Sequence, residues 1–364
     1  MKDTERKTGV QFLAGLAIGL CYVWLIADAK AASAACVSAL GLCAQVIVPS
    51  LFPFFVCSNL FCALGLEKPM ERALSRVMEP VFGVPGSGAA ALFVGLTGGY
   101  PSGAQSVGAL YGGGSIDRKT AKRLLLFCNN CGPAFLFGVV GPSVFGSSLA
   151  GLLLYLVHVA SSLLLGIFVR KSGHMQERNA QGAEKSPPVS FSSALTASVR
   201  KSGQTALEVC MFVVVFGVVT AMVQTALRLV LPDWALVIVS GLLELSGGAS
   251  ALAEAAMPQG VKFALASFFL AFGGLSVHAQ TKAVLSSAGL EGLPVFFPKL
   301  LHALLAGVLS LPVYALFRAQ LEAAQVFLPQ APALLLPAME LMLCAAICLA
   351  FRKMAGSNLR RDRV

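Results

Sequence analysis

Two apolar stretches of this chain, 85 to 112 and 233 to 257, are long enough to enter a membrane and too broken to cross it. In the first, PGSGAAALFVGLT and AQSVGALY are arms of roughly 8 to 13 residues, which at 1.5 Å per residue reach about half of a 30 Å hydrocarbon core. Glycines and a proline sit where the arms meet. In the second, WALVIVSGLLE and ASALAEAAM are arms of similar length joined by LSGG. Both patterns predict re-entrant helical hairpins. Non-helical backbone survives at membrane depth only when buried in protein or lining a watery cavity, so the rest of the fold has to be built around these two tips.

Composition agrees with a membrane setting. Of 364 residues, 57% are hydrophobic and only 12% charged, with a mean hydropathy of +0.79; a soluble domain carries about 25% charged residues. The charges gather at the N-terminus (MKDTERK), around 67 to 76, at 117 to 123, across 170 to 201 and in the C-terminal RKMAGSNLRRDRV. Between them, full crossings are expected at about 10 to 28, 38 to 64, 121 to 146, 149 to 169, 203 to 229, 261 to 286, 296 to 317 and 333 to 351. The expected fold class is therefore an all-α polytopic membrane protein, with about eight transmembrane helices plus two re-entrant hairpins. Threaded with both termini in the cytoplasm, this order puts most Lys and Arg inside. Only Lys30, Arg228, Lys262 and Arg318 fall outside, and Lys282 lies near the inner end of its span. The first hairpin then enters from the cytoplasm and the second from the opposite side, so the two are opposed.

Each half reads as span, hairpin, span with a polar interruption, span. The interrupted spans are RLLLFCNNCGPAFLFGVV and FALASFFLAFGGLSVHAQTKAVL. Phe127 and Phe272 lie 145 residues apart, and Gly95 and Gly241 lie 146 apart. Three crossings per half reverse the second relative to the first, the inverted-repeat design of secondary transporters. The expected organisation is an N-terminal helix in 1–34, a first repeat in 35–170, a polar cytoplasmic linker in 171–198, an inverted second repeat in 199–318, and a C-terminal helix with a basic tail in 319–364. An uncleaved first helix is expected, although the alanines at 29 to 35 imitate a signal-peptidase site.

Several function classes are disfavoured. The net charge of +10 lies in clusters flanking apolar spans with no aromatic interleaving, so no nucleic-acid partner is expected. Cys128 and Cys131 form the only CxxC and lack both a second pair and the βαβ context of a redox motif; small buried hydrophobes are the expected reading, with no metal and no cofactor. A Walker loop needs lysine after its last glycine, and here Gly103 is followed by Ala104. No GxSxG, HExxH or catalytic carboxylate pair is visible, so an enzyme is not expected.

Two tips and two broken spans should converge on a midplane site for a small polar solute. Half-helix N-termini suit an anion there, and freed carbonyls suit a cation. At the first tip the candidates are Thr97, Tyr100, Ser102 and Gln105, with Gly98, Gly99 and Gly103 allowing close backbone approach; helix packing is the competing role for the glycines. In the first break, Asn129 and Asn130 precede Gly132 and Pro133, which free backbone carbonyls. At the second tip stand Glu244, Ser246, Gly247 and Gly248, and an intramembrane carboxylate is a functional hypothesis by default. Against an anionic solute Glu244 would have to be protonated or paired with a cation, which makes it an ion-coupling candidate. Ser276, His278 and Gln280 follow in the second break, where His278 can carry protons or simply hold structure. Asn129 and His278 join Glu244 as coupling candidates, for Na+ or H+. Interhelical hydrogen bonding is the expected role of His158, His302, Glu208 and Glu340, and solvation that of His174.

LFPFFVCSNLF (51 to 61), GLTGGYPSGAQS (95 to 106), LLLFCNNCGPAFLFG (124 to 138), GLLELSGG (241 to 248) and FGGLSVHAQ (272 to 280) resemble the sporulation integral membrane proteins of the YlbJ type, within the nucleoside-recognition, or Gate, domain family. The resemblance spans about residues 35 to 318. It implies an architecture similar to concentrative nucleoside transporters, in which opposed hairpins and unwound helices bind solute and a coupling cation, and where the hairpin matching 233 to 257 carries an acidic substrate contact. It further implies a cell membrane or outer forespore membrane location and movement of dipicolinic acid during sporulation. A nucleoside or nucleobase transporter of the same architecture and a non-transporting sporulation scaffold are the alternatives. The expected partners are the solute, a coupling ion and the lipid bilayer, with a homo-oligomer left open.

Overall fold

The computed structural model describes residues 2–170 and 190–323, and among them the chain is helix and connecting loop without strand. The expected crossing at 333 to 351, Glu340, His174 and the C-terminal tail lie outside the described residues.

A first helix, Lys2–Ala27, ends at Asp28, whose carboxylate accepts the Ala31 N–H at 3.2 Å and so starts the next helix. That helix, Ala29–Ala63, runs 35 residues and begins nine earlier than expected, because the alanine run at 31 to 35 is a strong helix former and Asp28 caps it. A short helix, Glu67–Val77, follows with no buried residue. The linker is also shorter than its polarity suggests. Helix Phe191–Leu227 starts at Ser190, whose hydroxyl accepts the Ser193 N–H at 3.2 Å, and no Gly or Pro interrupts 191 to 202.

Both expected stretches form helical hairpins. The first has arms Gly88–Gly98 and Ser102–Gly112; the second has arms Asp233–Leu243 and Leu245–Glu254. The first broken span runs from Arg118–Leu124 through a non-helical stretch at 125 to 132 into Pro133–Phe145. The second consists of Gln259–Phe272 and Gly274–Ser287, and it breaks only at Gly273 and Gly274, with φ of +84° and +70°. These left-handed values suit glycine. Ser276, His278 and Gln280 are therefore helical rather than unwound, since two glycines suffice to turn the chain. The remaining long helices are Ser148–Phe168 and Phe296–Ala323.

Contacts fix how the halves face. Arg118, at the start of the first broken span, donates to the carbonyls of Gly289 at 3.2 Å and of Glu291, just past the end of the second. Phe145, at the end of the first, packs edge-on to Phe263 near the start of the second, with centroids 5.7 Å apart. The two broken spans thus run antiparallel. Each hairpin opens at the end where its own broken span begins, so the hairpins enter from opposite faces. The inner core joins both halves: Tyr100, Leu136 and Leu154 share a cluster with Leu245, Phe263 and Leu270.

The halves also repeat their close contacts. A Cβ on Gly132 would lie 3.0 Å from Gly99 Cα, and one on Gly274 would lie 3.2 Å from Glu244 Cα, so each tip rests against the break of the following span. The arms of each hairpin touch through glycine, Gly95 with Gly103 and Gly248 with Gly241. In the first hairpin the Cys128 carbonyl enters this gap, close enough to exclude a Cβ on either glycine.

Candidate solute site

The two tips, the first break and helix Gly274–Ser287 border a cavity of about 40 Å³ lined by Tyr100, Cys131, Gly132, Glu244, Ser246 and Gln280, with Ile47, Leu51, Val209 and Val213 along its side. That is room for one or two waters at about 30 Å³ each. Beside it lies an open vestibule of about 700 Å³, reaching from Gly112, Lys201, Ser287 and Ala288 at one face inward to Gln105, Thr205 and Gln280. Gln280 and Val209 border both spaces. Gln105 donates its amide to Thr205 Oγ1 at 3.1 Å across the vestibule wall.

Tyr100 ties the first tip to the opposite half: its hydroxyl reaches the carbonyls of Leu270 at 3.1 Å and Ala271 at 3.3 Å, just before the second break. Asn129 makes a parallel link, donating Nδ2 to Thr281 Oγ1 at 3.0 Å. Asn130 turns inward and donates to the Phe127 carbonyl at 2.6 Å, which also receives the Ser162 hydroxyl at 2.7 Å. The Oδ1 atoms of both asparagines are buried without a partner. An unpaired buried acceptor costs about 1–3 kcal/mol, so these two oxygens are held open at the level of the break.

Glu244 is placed at the cavity and occupied there. Its carboxylate accepts the N–H groups of Ser246 at 3.0 Å and Gly247 at 2.5 Å, capping the helix it precedes. The half-helix N-terminus that the sequence offers to an anion is thus met by the protein's own carboxylate. Gly248 contributes close packing, not a ligand surface.

Other expected residues lie off the cavity. Thr97 donates its hydroxyl back to Phe93 O at 2.8 Å, and Ser102 is buried beside Gly98. Ser276 Oγ accepts the Gln280 amide at 3.2 Å. His278 donates Nε2–H to Phe272 O at 3.0 Å and is stacked between Phe272 and Phe296.

Sequence reasoning passed over Lys299. Set one turn into Phe296–Ala323, it reads as a flanking positive charge, yet the side chain turns into the protein and is 3% exposed. Its Nζ lies 3.4 Å from His302 Nδ1 and 4.8 Å from the Tyr100 ring centroid. His302 in turn donates Nε2–H to Ser161 Oγ at 3.0 Å and His158 O at 3.3 Å, and His158 Nε2 accepts the Cys131 N–H at 3.1 Å. The two histidines lie 144 residues apart, within two residues of the 145 and 146 that separate Phe127 from Phe272 and Gly95 from Gly241, with ring centroids 4.8 Å apart. The signal available in the sequence was the pair Lys299 and His302 at i, i+3 on one face of an apolar helix.

One comparison with known proteins finds a relative. The chain is 30% identical over 297 residues to the sporulation integral membrane protein YlbJ of Bacillus subtilis (strain 168), covering 72% of this chain and 73% of that protein. No family model matches the chain, and no solved structure does.

Proposed function

The chain belongs to the YlbJ-type family of sporulation integral membrane proteins, and from that premise we propose that it is a secondary transporter which moves a small organic anion, dipicolinate, during sporulation. One observation carries the reading: both tips, the first break and helix Gly274–Ser287 meet at a cavity whose wall residue Gln280 also faces an open vestibule. At about 700 Å³ the vestibule is within the range of small-molecule sites, about 300–1,000 Å³, whereas the inner cavity, at about 40 Å³, falls below it. With both termini in the cytoplasm, as the positive-inside rule favours, the vestibule is cytoplasmic. Solute enters there, and rocking of the hairpins against the broken spans opens the inner cavity and then the far side. The proposed membrane is the cell membrane or the outer forespore membrane.

The charge pattern favours an anion. Lys299 is a buried amine without a carboxylate partner, next to Tyr100 of the cavity wall, and Glu244 is engaged by backbone N–H groups. A nucleoside or nucleobase is the second reading: the buried Oδ1 atoms of Asn129 and Asn130, which line neither space here, suit base N–H donors once the first break moves.

Spore dipicolinate, measured in a null strain complemented with the wild-type gene or with Gln280→Ala or Asn129→Ala, tests the proposal. Loss of dipicolinate with unchanged protein abundance is expected for both variants; normal content in the null itself rejects dipicolinate as the solute.

A further inference from the structure

We propose that Lys299 couples solute to proton: it is a neutral amine in the empty protein and takes up a proton as a carboxylate solute arrives. This rests on the transporter reading above and adds the coupling group and the ion.

Three observations lead to it. First, the amine is buried but not paired. Among the described residues Lys299 forms no ion pair; on the outer part of the same helix Arg318 pairs with Glu322, and both oxygens of Glu244 are taken by Ser246 and Gly247. An isolated ammonium out of water costs several kcal/mol unless paired and hydrogen-bonded, and lysine answers burial by giving up its proton more readily than arginine does.

Second, none of the titratable groups set against Lys299 is a carboxylate. Tyr100 comes from the first tip, Cys128 and Cys131 from the first break, His158 from Ser148–Phe168, His278 from the second broken span, and His302 from its own helix. Among these, His302 Nδ1 accepts from Lys299, His302 Nε2–H is donated onward, and His158 Nε2 is occupied by Cys131 N–H. The histidines thus hold the amine in place, and neither offers it a negative charge.

Third, the amine is one side chain away from the solute. Tyr100 lines the inner cavity and carries Lys299 over its ring. Because Tyr100 sits on a hairpin tip, a shift of that tip changes the surroundings of the amine. A carboxylate entering the cavity supplies the counter-charge across the Tyr100 ring, the amine gains a proton from solvent, and the shift of the Tyr100 tip lets ammonium and carboxylate approach. On release to the far side the proton leaves with the anion. Only the N–H bond is made and broken, and with one proton taken up per dipicolinate dianion the loaded site carries a net charge of −1 across the membrane.

The test is calorimetric binding of dipicolinate to the purified full-length protein near neutral pH, in two buffers of different ionisation enthalpy, so that proton uptake per bound solute is read directly. Wild type is expected to take up about one proton per dianion. Lys299→Arg, permanently charged, keeps binding but takes up none. Lys299→Met binds at least about tenfold more weakly, because the charge-assisted contact is gone. Thermal unfolding of each variant confirms the fold, and if Lys299→Met does not fold, Lys299→Arg decides. Wild-type proton uptake that survives Lys299→Arg, or dipicolinate binding with no uptake in the wild type, overturns the coupling role while leaving the transporter reading intact. A wild type that binds uridine and not dipicolinate overturns both.

Discussion

Gly95→Ala is the sharpest structural perturbation available. A Cβ at this position lies 2.7 Å from the Cys128 carbonyl carbon and nearer still to its oxygen, and 3.2 Å from Gly103 Cα. Ordinary contact begins near 3.4 Å, so the carbonyl carbon alone requires a separation of about 0.7 Å and the nearer oxygen requires more. The obstacle is backbone, which cannot rotate aside as a side chain would. Overpacking of this kind costs about 1–3 kcal/mol, here at the upper end. Replacing glycine by alanine within a helix returns about 0.5–1 kcal/mol, leaving a net loss of about 2 kcal/mol. Gly203→Ala is the matched control: it is also helical, with nothing within 4 Å of its Cβ, so it should gain about 0.5–1 kcal/mol. The two variants should therefore differ by about 3 kcal/mol. Unfolding in detergent, followed by reaction of the buried Cys128 thiol with a fluorogenic maleimide, reports the difference. If Gly95→Ala proves as stable as Gly203→Ala, the Cys128 carbonyl does not enter the hairpin and the described site is wrong.

Tyr100→Phe keeps the ring over Lys299 and removes the hydroxyl from Leu270 and Ala271, so it should cost about 0.5–1.5 kcal/mol of stability, read by the same unfolding assay. Glu244→Ala should cost about 1–2 kcal/mol because two N–H groups lose their cap, with Glu244→Gln intermediate; an unchanged unfolding profile for the alanine variant would mean the cap is unimportant. Ser287→Cys, at the vestibule mouth, should react with a membrane-impermeant maleimide from the cytoplasmic side, beyond the labelling of the unsubstituted protein, and dipicolinate should slow the reaction. Labelling from the opposite side only would invert the topology.

Much of the architecture was legible because its determinants are local. The hairpins announce themselves through half-length apolar arms bounded by Gly and Pro, and the observed arms fall within the expected stretches. The first break is similarly plain in NNCGP, where two polar side chains, a glycine and a proline leave 125 to 132 non-helical. What was not legible depends on direction in space. Hydropathy cannot tell a polar helix from a polar linker, so Phe191–Leu227 extends back past the expected boundary once Ser190 caps it. The polar stretch of the second span signals a break without its extent, and Gly273 and Gly274 absorb the whole turn, so the helix resumes at once and carries Ser276, His278 and Gln280. Glu244 was found by its cost in a membrane, while its engagement by Ser246 and Gly247 follows from its extended backbone at the tip, φ −142° and ψ 126°. Lys299 was hidden because charge near a span end normally snorkels to the interface, and only packing against Tyr100 and His302 reveals that it points inward.

The central claim is that this site carries an organic anion across a membrane. Counterflow in proteoliposomes tests it most directly: vesicles containing the purified protein are loaded with unlabelled dipicolinate, and labelled dipicolinate or labelled uridine is added outside. Transient accumulation of labelled dipicolinate above equilibrium, absent from protein-free vesicles and without accumulation of uridine, is predicted; exchange of neither solute would contradict the account.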